Sequence, residues 1–250
     1  MKIQYNKRHW KPGILSMMFF ILFIQLMKAQ LTDKYETYEQ NSYKGMPYVL
    51  FKPANYDAGK SYPLIVYLHG GNDTIFRGNY WYKESVQTLN PSFVLTPKTT
   101  EHMIGWGTTW DKSNLNAQKK VLALVDLLIK NYSIDASRLY IYGIDMGATG
   151  VFSVLCNYPG KFAAAVTVRG AVSLEVEEKL LSTPLWIFYL YHSHIKPARL
   201  PSPSQIYEKI VCLGGKKVKY TECMGIEYDS WENVLEEKEL SKWLFSQEKK

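Results

Sequence analysis

The residue with the most chemical consequence in this sequence is Asp145. It stands in Gly143-Ile144-Asp145-Met146-Gly147-Ala148, directly after the apolar run Arg138-Leu139-Tyr140-Ile141-Tyr142. A glycine two before and two after a central residue, between a strand and a helix, is the layout of a nucleophile elbow. Such a turn presses strand and helix backbones together, so the flanking positions must be small. It also drives the central residue toward positive φ, which Asp tolerates better than most. The usual occupant is a serine; here it is a carboxylate. A second turn, His69-Gly70-Gly71, ends the run Leu64-Ile65-Val66-Tyr67-Leu68. Gly70 and Gly71 are read as allowing close backbone approach, and His69 as a structural residue.

These residues need elements that hold them. Strands are expected at Pro47–Phe51, Pro63–Leu68, Ser92–Thr96, Arg138–Tyr142, Ala163–Val168, Leu185–Tyr191 and Val218–Thr221. Several are continuous apolar runs, which suit strands buried on both faces of a parallel sheet. Between them lie helical patterns at Asn114–Tyr132, Gly147–Tyr158 and Ser204–Leu213, and Glu232–Gln247 closes the chain. In the first, Val121, Leu122, Val125, Leu128 and Ile129 fall at helical spacing. Alternating strands and helices give an α/β class with a mostly parallel central sheet and helices on both faces. Ligand sites in such sheets lie beyond the carboxyl ends of the strands, where both glycine turns fall.

From Gly45 to Gln247 the chain resembles secreted α/β-hydrolase-fold esterases of the predicted-peptidase and polyhydroxybutyrate-depolymerase-like group. The strings that carry the resemblance are Tyr62-Pro63-Leu64-Ile65-Val66-Tyr67-Leu68-His69-Gly70-Gly71, Asp135-Ala136-Ser137-Arg138-Leu139-Tyr140, Tyr158-Pro159-Gly160-Lys161-Phe162-Ala163-Ala164-Ala165-Val166 and Asp229-Ser230-Trp231. The resemblance implies the α/β-hydrolase fold in a single domain from residue 30 to 250, and relatedness to carboxylic-ester hydrolases. It also implies an oxyanion hole, with one backbone N–H from the His69-Gly70-Gly71 turn and a second from Met146, the residue after the nucleophile position, and it implies where a Ser-His-Asp triad would stand. The nucleophile position holds Asp145. The acid position, in Tyr191-His192-Ser193-His194, holds Ser193. The base position, in Gly225-Ile226-Glu227-Tyr228-Asp229-Ser230-Trp231, holds Tyr228. A phenol titrating near ~10 is a poor base at neutral pH.

The favoured reading is therefore a catalytically degenerate member that binds a small molecule, a glycan or a protein. No cofactor or metal is expected. The alternative is an active hydrolase with Asp145 as nucleophile and His192 or His194 as base. A weaker third reading gathers His192, His194, Asp145 and Glu227 around a metal ion. Trp81, Trp106, Trp110 and Trp231 are candidate walls of a ligand cleft, with packing in the core as the competing reading. Arg169 ends a strand that should lie beside the elbow strand. It is expected either to pair with Asp145 in the former nucleophile pocket or to point to solvent.

Composition narrows the classes. The chain has 250 residues, 46% of them apolar and 21% charged, which excludes a disordered polymer. Its net charge of +7 is uneven, because residues 1–29 hold five bases and no acid, leaving 25 Lys and Arg against 23 Asp and Glu in the rest. A nucleic-acid partner is not expected. Lys7, Arg8 and Lys11 precede the apolar run Ile14–Met27, the pattern of a signal peptide with cleavage near Ala29-Gln30. A retained N-terminal anchor is the alternative; after cleavage no membrane contact is expected. The localisation implied is secreted or periplasmic. Oligomeric state is not legible. The three cysteines, Cys156, Cys212 and Cys223, are expected to be mostly buried thiols, with Cys212 and Cys223 too far apart to bridge.

Overall fold

The computed structural model describes residues 38–71, 80–99, 105–111, 115–173, 175, 177–190, 201–223 and 238–249. Glu39–Lys250 is one compact unit. Its strands are β1 (Tyr38–Tyr43), β2 (Met46–Phe51), β3 (Tyr62–Leu68), β4 (Phe93–Pro97), β5 (Ile134–Ile144), β6 (Ala164–Val168), β7 (Leu185–Leu190) and β8 (Val218–Cys223). They form one sheet in the order β1-β2-β4-β3-β5-β6-β7-β8. β2 runs antiparallel to β4, and the pairs from β4 through β8 are all parallel. The helices are α1 (Glu84–Leu89), α2 (Asn116–Asn131), α3 (Met146–Asn157), α4 (Glu177–Leu180), α5 (Pro203–Cys212) and α6 (Lys238–Phe245), with a 3₁₀ turn at Tyr80–Tyr82. No helix among the described residues is long and apolar enough to cross a membrane.

The two faces of the sheet are filled differently. Leu64, Val66, Leu68, Leu139, Ile141 and Ala165 share one core with Val121 and Val125 of α2, Val151 and Leu155 of α3, and Ile206 and Ile210 of α5. The alternate residues point the other way, as strand periodicity requires. There Tyr67 stacks on Tyr142 at 5.1 Å, Trp81 meets Tyr142 and Phe245 edge-on, and Trp186 meets Trp243. Helices thus cover both faces, as expected.

Two local devices set the frame. β1 and β2 join through Lys44 and Gly45, at φ 48° and 76°. Two consecutive left-handed residues match the right-handed twist of a tight hairpin. At α5, Ser202 and Gln205 form a reciprocal capping box with Pro203 at the first turn. That helix buries Ile206 and Ile210, which turns Cys212 outward. Cys212 is exposed and Cys223 half-buried, so burial holds only for Cys156. The central strand β3 has β4 on one side and β5 on the other. The chain reverses its winding direction there, which opens a site at the carboxyl ends of β3 and β5.

Candidate functional site

Asp145 stands between β5 and α3 at φ 51°, ψ −112°. The flanking glycines are needed for packing. A Cβ on Gly143 would lie 2.4 Å from the carbonyl of Gly147, and one on Gly147 would lie 1.8 Å from the carbonyl oxygen of Leu68. The elbow is therefore pressed against the end of β3, where the His69-Gly70-Gly71 turn begins. That is the juxtaposition an oxyanion hole requires, with Met146 as the first residue of α3. Gly71 corrects one expectation: a Cβ there meets nothing within 4 Å among the described residues, so close approach does not call for glycine.

His69 is 4% exposed and structural, as read. The backbone N–H of Thr99 donates to its Nε2 at 3.1 Å. The neutral ring therefore carries its proton on Nδ1, which donates to the Gly70 carbonyl at 2.6 Å. Both nitrogens are engaged, so this imidazole has no lone pair to offer a substrate.

The Asp145 side chain makes no capping bond to the first turn of α3. Its Oδ2 accepts from Arg169 Nη2 at 2.6 Å. The Arg169 side chain is 12% exposed and that of Asp145 32%. Of the two readings of Arg169, the paired one holds. Strand register explains it. Ile144 pairs with Val168 and Val168 with Phe188, so residues 145 and 169 occupy neighbouring strand tips. Asp145 N–H donates to Val168 O at 2.9 Å, and Arg169 N–H to Phe188 O at 3.1 Å. Arg169 also has positive φ, 59°. Among the described residues the other non-glycine cases are Lys44, in the β1–β2 turn, and Asn55. Two adjacent, ion-paired residues both held in a sparsely populated conformation are characteristic of functional sites, at a cost of about 1–3 kcal/mol each.

Thr149 was not singled out in the sequence. Its hydroxyl donates to the Asp145 carbonyl at 3.2 Å and accepts from Ala171 N–H at 3.0 Å. It ties the first turn of α3 to the segment after Arg169. Its position four residues beyond the elbow is the signal that marks it.

The aromatic residues divide. Trp81 and Trp106 are both 0% exposed. This corrects their reading as cleft walls: each ring fills the interior. Trp81 packs against Tyr80, Tyr142 and Phe245. Trp106 donates from Nε1 to His69 O at 3.0 Å and lies beside Gly150, where a Cβ would sit 2.3 Å from its own Cβ. Trp110 is 47% exposed. Ser193, Tyr228, His192, His194, Glu227 and Trp231 lie outside the described residues.

No family model matches this chain. It is 24% identical over 134 residues to the bifunctional acetylxylan esterase/xylanase XynS20E of Neocallimastix patriciarum, covering 53% of this chain and 19% of that protein. It is 26% identical over 145 residues to dipeptidyl-peptidase 5 of Porphyromonas endodontalis, covering 55% and 20%. The chain thus spans about a fifth of the length of these curated relatives. Among solved structures, a thermostable esterase superposes with a TM-score of 0.72 at 26% identity, over 86% of this chain and 64% of that one. The fold is the α/β-hydrolase fold, and its structural neighbours are esterases and peptidases.

Proposed function

We propose that this chain is an exported ligand-binding protein built on an α/β-hydrolase scaffold, degenerate as an ester hydrolase. The observation that carries the reading is the 2.6 Å pair between Asp145 and Arg169 at the nucleophile position. A carboxylate held by a guanidinium is a poorer nucleophile than a free one, and a serine triad has no serine there. Ser193 and Tyr228 at the other two triad positions support the same reading. The relatives include an acetylxylan esterase, which makes a glycan or other small molecule the ligand class of first choice. Export rests on the basic residues Lys7, Arg8 and Lys11 ahead of Ile14–Met27.

The test is hydrolysis of short p-nitrophenyl esters by purified protein beside an Asp145→Ala control. The expected rate is no higher than the control at neutral pH. An Asp145-dependent rate would overturn the reading in favour of a nucleophilic Asp145 served by His192 or His194.

A further inference from the structure

We propose that the tip joining α5 to β8 docks on an anionic membrane surface, with Val211 and Leu213 entering the lipid and Lys209, Lys216 and Lys217 meeting its headgroups. The tip leads into the amino end of β8, so docking leaves the elbow, at the carboxyl ends of the strands, facing away from the lipid. This departs from the expectation of no membrane contact after cleavage, which rested on long apolar runs; a tip this short leaves no such run.

The first observation is an apolar tip that its own backbone holds outward. Val211 is 46% exposed and Leu213 38%, and Cys212 between them is exposed too. Among the described residues the other exposed large apolar side chains, Leu89, Trp110 and Leu127, stand singly in the chain. Leu213 N–H donates to Lys209 O at 3.0 Å, Gly214 N–H to Val211 O at 2.9 Å and Gly215 N–H to Ile210 O at 2.9 Å. Gly214, at φ 84°, is the left-handed residue that ends the helix. Gly215 is seated on the core: a Cβ there would lie 2.5 Å from Ile210 Cγ2 and 2.9 Å from Leu181 Cδ2. The turn is thus fixed from beneath, and neighbouring apolar side chains left outside with a polar rim mark an interaction surface.

The second observation is the charge of that rim. Lys209, Lys216 and Lys217 are all exposed. None of the three forms an ion pair among the described residues, whereas Lys52, Lys161 and Lys242 do. Lys219 is turned to the Trp186 ring, 3.5 Å from its centroid. On neighbouring α4, exposed Lys179 and Glu178 offset each other, which leaves Glu208 as the exposed acid of α5 beside the three lysines.

Composition selects the occupant. Protein interfaces favour aromatic residues and avoid lysine. Here lysines surround aliphatic side chains, and Tyr207 of the same helix is already stacked on Tyr220 at 5.6 Å. A second copy of the chain would set lysine against lysine. An anionic bilayer answers both parts: its interface accepts small aliphatic groups, and its surface potential attracts lysines. Two aliphatic side chains bury little area, so the charge is required and the docking weakens with salt.

The exposed thiol of Cys212 reports the tip directly. Its alkylation by iodoacetamide is followed by peptide mass on the full chain, with Cys223 at the far end of β8 as internal reference. Vesicles of equal parts phosphatidylglycerol and phosphatidylcholine should slow Cys212 about tenfold at low salt and much less at high salt. Phosphatidylcholine alone should leave its rate nearly unchanged, and Lys216→Glu/Lys217→Glu should abolish the protection with an unchanged melting temperature. The comparison of vesicles on the parent protein stands whether or not that variant folds. Sedimentation with vesicles at an unchanged Cys212 rate would assign membrane binding to residues 14–27 and overturn the proposal. Equal slowing on neutral vesicles, slowing by raised protein concentration without lipid, or equal slowing by polyglutamate would each overturn it as well, the last two in favour of a second copy or an acidic polypeptide.

Discussion

Asp145 is a charge placed where a neutral serine hydroxyl would otherwise stand. Removing such a group from water costs several kcal/mol unless it is paired. Arg169 supplies the pairing from the adjacent strand tip. Arg169→Ala should therefore destabilise the protein by about 1–3 kcal/mol, read by urea unfolding, because it strands a partly buried carboxylate. The double variant Asp145→Ala/Arg169→Ala should lose less than the two single losses added together. Additive losses would mean that the pair contributes no coupling. The pairing was foreseeable because strand neighbours and their end residues follow from the order of apolar runs. The burial of Trp81 and Trp106 was not, because an aromatic residue near a sheet-top loop reads the same whether its ring turns inward or outward. Only the packing against Tyr142, Phe245, His69 and Gly150 decides it.

The strands with continuous apolar runs were legible, since runs as short as Leu64–Leu68, closed by glycines, suit a strand buried on both faces and are too short for a buried helix. β1 was not: Gln40-Asn41-Ser42 gives no apolar signal, and an edge strand with one solvated side needs none. α1 and α4 are short, six and four residues, and such lengths fall below any reliable helical period. The capping box at Ser202 is a sequence signature that went unread, and it marks the start of α5. The elbow was the most legible element because its constraints are steric and local. Gly147→Ala places a Cβ 1.8 Å from the Leu68 carbonyl oxygen, and backbone cannot yield that distance. That variant should fail to fold or unfold at far lower temperature. Gly71→Ala, whose new Cβ meets nothing within 4 Å among the described residues, should stay within about 0.5 kcal/mol of the parent. Equal melting temperatures for the two variants would show that the elbow is not pressed against β3.

At the scale of the molecule, the amino end of β5 is buttressed far from the elbow at its other end. Asp135 accepts from Ser137 N–H and from Arg138 Nε at 2.8 and 2.7 Å, and Arg138 Nη2 reaches the Ser61 carbonyl at 3.0 Å, just before β3. The chain's end is held at the same strand: Lys249 N–H donates to Ser137 O at 2.9 Å and Tyr140 Oη to Gln247 O at 2.9 Å. Tyr140, buried beneath α6, has its phenol pushed up to about 12 by desolvation, so it remains a neutral donor across the working range. Asp135 titrates instead. Burial alone would raise its carboxyl, but hydrogen bonds from Ser137 and Arg138, with the Arg138 charge, outweigh it and hold it below the ordinary carboxylate value. A depressed folded value means that the unfolded chain takes up the proton first as acid is added. The contribution of Asp135 is thus complete above the unfolded value near ~3.9 and disappears as pH falls through the folded one. Asp135→Asn removes the titrating group, so the variant should be less stable than the parent at pH 7 and the gap should narrow as pH falls below about 4. Urea midpoints of both proteins across pH 2.5 to 7 measure this, and a gap that stays constant or widens in acid would remove Asp135 from the list of groups that hold β5 to its neighbours.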